Sequence, residues 1–212
     1  MPMMEKMREA CPLEEIDYTF LMDQLQEYSS PRAKVTRLLK SGALIRVKKG
    51  IYLFGRSMQR ELYSLEVLAN KIYGPSYVSL EYALAYYGLI PEQVVEITSV
   101  TIKRKRSYET PIGRFSYAHL PEPLYAVGYT LLSLSAKRVA LIATPEKALA
   151  DLLYLRHYEV ATPSELKELL FEDLRLDEEQ LIHFDIDRLR SIYQVGGAPL
   201  LSLLIDLLEK KL

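Results

Sequence analysis

Between Ile16 and Tyr28 the apolar residues Ile16, Phe20, Leu21 and Leu25 recur at helical spacing, so this stretch reads as a helix with one buried face. Ser29 and Ser30 break the pattern. Ser30 followed by Pro31 reads as a new start, a serine N-cap with proline at the first helical position. The second helix runs through Ser41 and is stopped by Gly42. Two helices joined by so short a turn have helix-turn-helix spacing. At 100° per residue, Val35, Leu38 and Leu39 share the core-facing side of the second helix. Ala33, Arg37 and Lys40 lie opposite, with Thr36 on one flank and Lys34 and Ser41 on the other. Leu44–Val47 and Ile51–Phe54 then read as two short strands. Lys48, Lys49 and Gly50 form the turn between them, a hairpin of the kind called a wing.

The period changes several times downstream. Residues 60–74 read as a helix with Leu62, Leu65, Leu68, Ala69 and Ile72 on one face. A second helix has Ser79 as N-cap and Leu80–Tyr87 as its body, closed by Gly88 and Pro91. Residues 94–106 alternate and are rich in β-branched side chains, so they read as one strand. Residues 113–120 read as its partner across a turn, and Arg138–Ala143 reads as a third strand, apolar enough to be central. Thr144 with Pro145 opens a further helix, Thr162 with Pro163 another, and residues 177–194 and 199–212 read as helical. The expected fold class is α+β: an N-terminal winged helix-turn-helix over residues 1–57, then a mixed α+β domain over residues 58–212 with a small sheet and a helical end.

Charge sharpens this picture. The net charge is only −1, but residues 29–60 hold nine bases and no acid: Arg32, Lys34, Arg37, Lys40, Arg46, Lys48, Lys49, Arg56 and Arg60. Residues 1–28 carry seven acids against two bases, and residues 157–212 carry twelve against six. A basic block inside an acidic chain points to a polyanion partner for that block. A recognition helix in a major groove needs long cations and small residues that permit close approach. The candidate DNA contacts are therefore Arg32, Lys34, Thr36, Arg37 and Lys40 on the helix, with Arg46, Lys48 and Lys49 on the wing. Edge-strand protection is the alternative role for the wing lysines. Lys103, Arg104, Lys105 and Arg106 form a second cationic run, read as a solvated hairpin tip or as a second nucleic-acid or partner patch. The tyrosines Tyr73, Tyr77, Tyr82, Tyr86 and Tyr87 suit a half-buried packing surface, and Tyr82 with Tyr86 could also face a partner.

Other chemistry finds little support. One cysteine, Cys11, allows no internal disulfide and fits a reducing cytoplasm, with an ordinary thiol near a loose terminus. His119, His157 and His183 are scattered, so neither a metal site nor a cofactor is expected. No apolar run is long enough for a membrane helix, and the first fifteen residues lack the apolar segment of a signal peptide. Glu81, Glu96 and Lys103 resemble the acid and lysine content of a nuclease, which keeps a nucleic-acid-processing enzyme as the alternative. No phosphate loop, HExxH motif or activated nucleophile accompanies them.

The basic helix and wing (residues 30–54), then YVSLEYALAYYGLIPE, ITSVTIKRKR, TPIGRFSYAHL and ATPEKALADLLYL, together resemble the AbiEi family over about residues 15–156. These are antitoxins and transcriptional regulators of type IV toxin–antitoxin, or abortive infection, systems. The resemblance implies a winged domain that represses its own operon at inverted repeats in double-stranded DNA. It implies a C-terminal domain that counters a nucleotidyltransferase-like toxin without forming a stable complex. Only two helices are read ahead of the wing here, where a winged domain commonly has three.

Overall fold

Leu21 and Leu25 are fully buried, as their spacing requires, yet Ile16 reaches the same core from a strand rather than from the helix. The structure, a computed structural model, describes residues 3–210. Asp17 explains the difference. Its carboxylate accepts the Phe20 N–H at 2.8 Å and so caps the helix from an extended backbone, while Ile16 before it pairs with Tyr52 in the sheet. The chain opens with α1 (Met3–Ala10), β1 (Glu15–Asp17), α2 (Tyr18–Gln24), α3 (Pro31–Lys40), β2 (Leu44–Lys48) and β3 (Ile51–Phe54). The strands form an antiparallel sheet in the order β1-β3-β2.

Two expectations for this unit are corrected. From Met3 onward the segment around Cys11 is not loose: α1 buries Met7 and Arg8, and Cys11 is buried beside them. Three helices therefore precede the wing, not two. Also, α2 ends at Gln24, because the residues beyond buried Leu25 offer no further apolar side to the core. Pro31 opens α3 as expected, although the Ser30 hydroxyl makes no capping hydrogen bond. Gly42, at φ 72°, turns the chain out of α3. Gly55 packs so closely that a Cβ there would lie 1.8 Å from the Gly42 carbonyl oxygen.

The rest of the chain contains α4 (Leu65–Ile72), β4 (Ser76–Val78), α5 (Leu80–Tyr86), β5 (Ile97–Thr101), β6 (Arg106–Thr110), β7 (Gly113–His119) and α6 (Glu122–Tyr125). It continues with β8 (Tyr129–Ser135), β9 (Arg138–Ala143), α7 (Pro145–Arg156) and α8 (Pro163–Glu168), which runs into a wide π-type turn. Three helices finish it: α9 (Glu178–Leu181), α10 (Ile186–Gln194) and α11 (Leu200–Glu209). Six strands form one mixed sheet, β6-β7-β5-β4-β9-β8, with β5–β7 and β4–β9 parallel and the other pairs antiparallel.

This sheet is larger than expected. Residues 94–106 are not one strand: the chain bends after Thr101 and begins β6 at Arg106. β7 lies between the two, with Phe115 and Tyr117 buried, so the 102–105 link crosses its end. β4 and β8 were not anticipated, one being very short and the other holding only Tyr, Thr, Leu and Ser. Consecutive β4 residues show how the layers are arranged. Tyr77 hydrogen-bonds Asp151 on α7 on one face. Tyr117, in register with Val78 through Ser99, donates to the Ala69 carbonyl of α4 on the other face.

The wing sheet has two packing faces. Leu44, Tyr52 and Phe54 join the core under α1–α3, whereas Val47 and Leu53 belong to the larger core. Buried acids reinforce the joint. Glu14 pairs with Arg8 and accepts the backbone N–H of Arg60 and Glu61. Glu15 accepts the Ser64 N–H and pairs with buried Arg138 at the start of β9.

Candidate nucleic-acid interface

The apolar side of α3 holds Val35 and Leu38 in the core, so the opposite side must face solvent. Arg32, Ala33, Thr36, Arg37 and Lys40 are all exposed there. The helix has ten residues, about 15 Å at 1.5 Å per residue. Among the described residues, the side chains of Arg37 and Lys40 make no hydrogen bond or ion pair, and no acid lies between residues 29 and 60 to neutralise them. Arg32 Nε donates weakly to the Tyr18 hydroxyl at 3.3 Å. Lys34 lies over the Tyr28 ring at 5.1 Å, and the Thr36 hydroxyl donates to the Arg32 carbonyl one turn back.

On the wing the cations divide. Arg46 pairs with Tyr52 across the sheet, so it leaves from the face that carries α3, exposed and without a partner among the described residues. Lys49 is exposed at the tip. Lys48 follows a register shift and turns to the opposite side. Its ammonium donates to the Ile72 carbonyl at 2.6 Å and sits 4.3 Å from the centre of the Tyr108 ring.

Lys103–Arg106 are all exposed, with Lys103, Arg104 and Lys105 in the bend between β5 and β6 and Arg106 at the start of β6, rather than at a hairpin tip. The bend is held in shape: Lys103 Nζ donates to the Gly74 carbonyl, and the Tyr73 hydroxyl donates to the Arg104 carbonyl. The Arg106 guanidinium lies 5.3 Å from the Tyr108 ring, the same ring that carries Lys48. Two basic segments remote in sequence thus meet on one tyrosine. This junction was not foreseen, and only the spacing of Tyr108 two residues after Arg106 hinted at it.

The acids considered for catalysis are engaged elsewhere. A cavity of about 1110 Å³ between the sheet and α5 and α7 is lined by both Glu81 and Glu96. Glu81 is bound by Arg156, and Glu96 pairs with Arg114 at 3.3 Å. Lys103 points to Gly74 instead. Among the described residues, no group of three or more His, Cys, Asp or Glu side chains is placed to hold a metal ion. No helix among them is long and apolar enough to cross a membrane. Tyr82 hydrogen-bonds Glu66 at 2.8 Å, so its ring tip is used internally.

Three helices, a strand pairing back onto the hairpin, and the hairpin itself make the N-terminal unit a winged helix-turn-helix. Residues 13–55, the part that runs from the buried Glu14 to the end of the wing, match the family model described as "Transcriptional regulator, AbiEi antitoxin". The match covers this unit alone, agrees with the resemblance of its sequence, and supports the role of transcriptional regulator and antitoxin. No curated protein matches the chain.

Proposed function

We propose that this protein is a DNA-binding repressor of its own operon and the antitoxin of a type IV toxin–antitoxin system. The observation that carries the reading is the outward side of α3, where exposed, unpaired Arg37 and Lys40 sit beside small Ala33 and Thr36 within the family-matched unit. Arg37 and Lys40 would neutralise phosphates or reach base edges, with Arg32, Lys34 and Thr36 around them. Arg46 and Lys49 add wing contacts, and Arg104 and Lys105 extend the basic surface beyond the wing. Lys48 serves the joint between the two halves rather than the DNA. The half beyond residue 57 would oppose a nucleotidyltransferase-like toxin without a lasting complex, and the protein would act in the cytoplasm without a cofactor.

The test is a gel shift on the protein's own promoter with full-length chain. Arg37→Glu with Lys40→Glu should weaken binding at least 100-fold while the melting temperature holds. Wild-type affinity should fall steeply with salt, since several phosphates are neutralised. Undiminished binding by the variant, or a flat salt response, would overturn the assignment.

A further inference from the structure

The two edges of the six-stranded sheet differ in kind. β6 carries Arg106 and Glu109, and charged side chains are a usual means of keeping an edge strand from pairing. β8 at the other edge has the sequence YTLLSLS, with no charge and no proline. An edge strand presents a row of unsatisfied backbone donors and acceptors. Among the described residues, no strand pairs with the outer side of β8. Tyr129–Ser133 keep regular register with β9, and the one irregularity falls beyond them, between Ser133 and Ser135.

Apolar surface accompanies this open edge. Leu131 is 68% exposed and Val139 is 49% exposed. Leu131 pairs with Leu141, and Ser133 with Val139, so Leu131 and Val139 are diagonal neighbours on one face. Leu62 is 85% exposed, and its carbonyl is fixed to Arg138, the residue before Val139. Three large side chains are thus left in water around a strand that carries neither charge nor proline and is regular from Tyr129 to Ser133.

We propose that β8 is a dimerisation edge that pairs antiparallel with β8 of a second copy, joining two six-stranded sheets into one. A second copy fits because the strand is neutral along its length. Antiparallel self-pairing brings no like charges together and sets leucine, serine and threonine against one another. The Lys103–Arg106 run lies by β6 at the far edge, so pairing through β8 leaves it uncovered. Such a dimer carries two winged units related by a two-fold axis, the symmetry of an inverted repeat.

Sedimentation of the full-length protein without DNA tests this. One strand pair with a small apolar surround is a modest interface, so a dissociation constant of roughly 1–100 μM is expected. Leu131→Lys with Ser133→Lys changes two exposed positions and should raise that constant at least tenfold with an unchanged circular dichroism spectrum. Ser107→Lys on β6 should leave it unaltered. A monomer up to 300 μM would overturn the proposal, and would leave a strand from another protein as the partner to seek. A dimer indifferent to the β8 lysines, or broken by Ser107→Lys, would overturn it equally. Because none of these outcomes involves DNA, they are distinct from failure of the repressor reading.

Discussion

The outer side of α3 and the interior under the six-stranded sheet handle charge in opposite ways. On α3, Arg37 and Lys40 stand in water with no partner among the described residues. Under the sheet, Lys147 is fully buried, 2.6 Å from the Asp151 carboxylate, which also accepts hydrogen bonds from Ser79 and Tyr77. Lys147 completes the set by donating to the Leu124 carbonyl at 2.8 Å. Burial drives the Asp151 pKa up, and the Lys147 ammonium and the hydrogen-bond donors oppose it. The difference teaches where each charge can act. A cation kept exposed and unpaired is available to a ligand, whereas a buried pair is committed to holding elements together.

Removing one member of the buried pair should have the largest effect on stability. Asp151→Ala strands a buried ammonium and should cost about 3–5 kcal/mol, read as a lower urea midpoint. Adding Lys147→Met should recover a large part of the loss. A single variant as stable as the wild type would erase the contrast with α3.

Tyr87 sharpens the same contrast through pH. Its hydroxyl donates to the Ala143 carbonyl at 2.9 Å. Burial first, then Tyr86 and Glu146, push it up to about 12 from 10.0, against the opposing effect of Arg188. A folded pKa above the unfolded one means the stabilisation is complete below pH 10 and is lost as pH rises towards about 12. Tyr87→Phe should lose about 0.5–1.5 kcal/mol at neutral pH and show a shallower alkaline decline. An equally steep decline in the variant would show that Tyr87 does not titrate as described. Burial raises Tyr77, Tyr82 and Tyr117 as well, so some decline should remain.

Lys48 stands between the two regimes, as a wing cation used internally. Lys48→Ala should cost about 0.5–1 kcal/mol through the lost contact with Tyr108, with little change in DNA affinity. A variant that loses affinity as Lys49→Ala does would return Lys48 to the DNA surface. The smallest stability effect belongs to Arg37→Ala with Lys40→Ala, within about 0.5 kcal/mol as for ordinary exposed positions. A large loss of stability there would mean that α3 is braced by these cations and not merely decorated with them.

Much of the winged unit was legible because its signals are local. Pro31 and Gly42 bound α3, Val35 and Leu38 mark its buried side, and the Lys49-Gly50 turn marks the wing. The beginning was misread because Ile16 fits both a helical period and a short strand, and only pairing with Tyr52 decides between them. α1 was missed since its buried members include an arginine, a residue that enters a core only with a partner such as Glu14. Thr144 and Thr162 do cap α7 and α8 as their Thr-Pro sequences indicate. Ser79 occupies the cap position of α5 but gives its hydroxyl to Asp151, a residue far along the chain.

The sequence by itself determined the basic, acid-free block, its placement on one side of α3, and the family resemblance of that segment. Charge type and helical period are properties of neighbouring residues and need no fold to be read. Only the tertiary structure decided which cations remain free. Lys48 and Lys49 are adjacent and chemically alike, yet one reaches the Ile72 carbonyl and the other faces solvent. The same holds for the open edge at β8. Whether a short strand ends a sheet or lies within it depends on backbone hydrogen bonds to strands remote in sequence, and no local pattern encodes them.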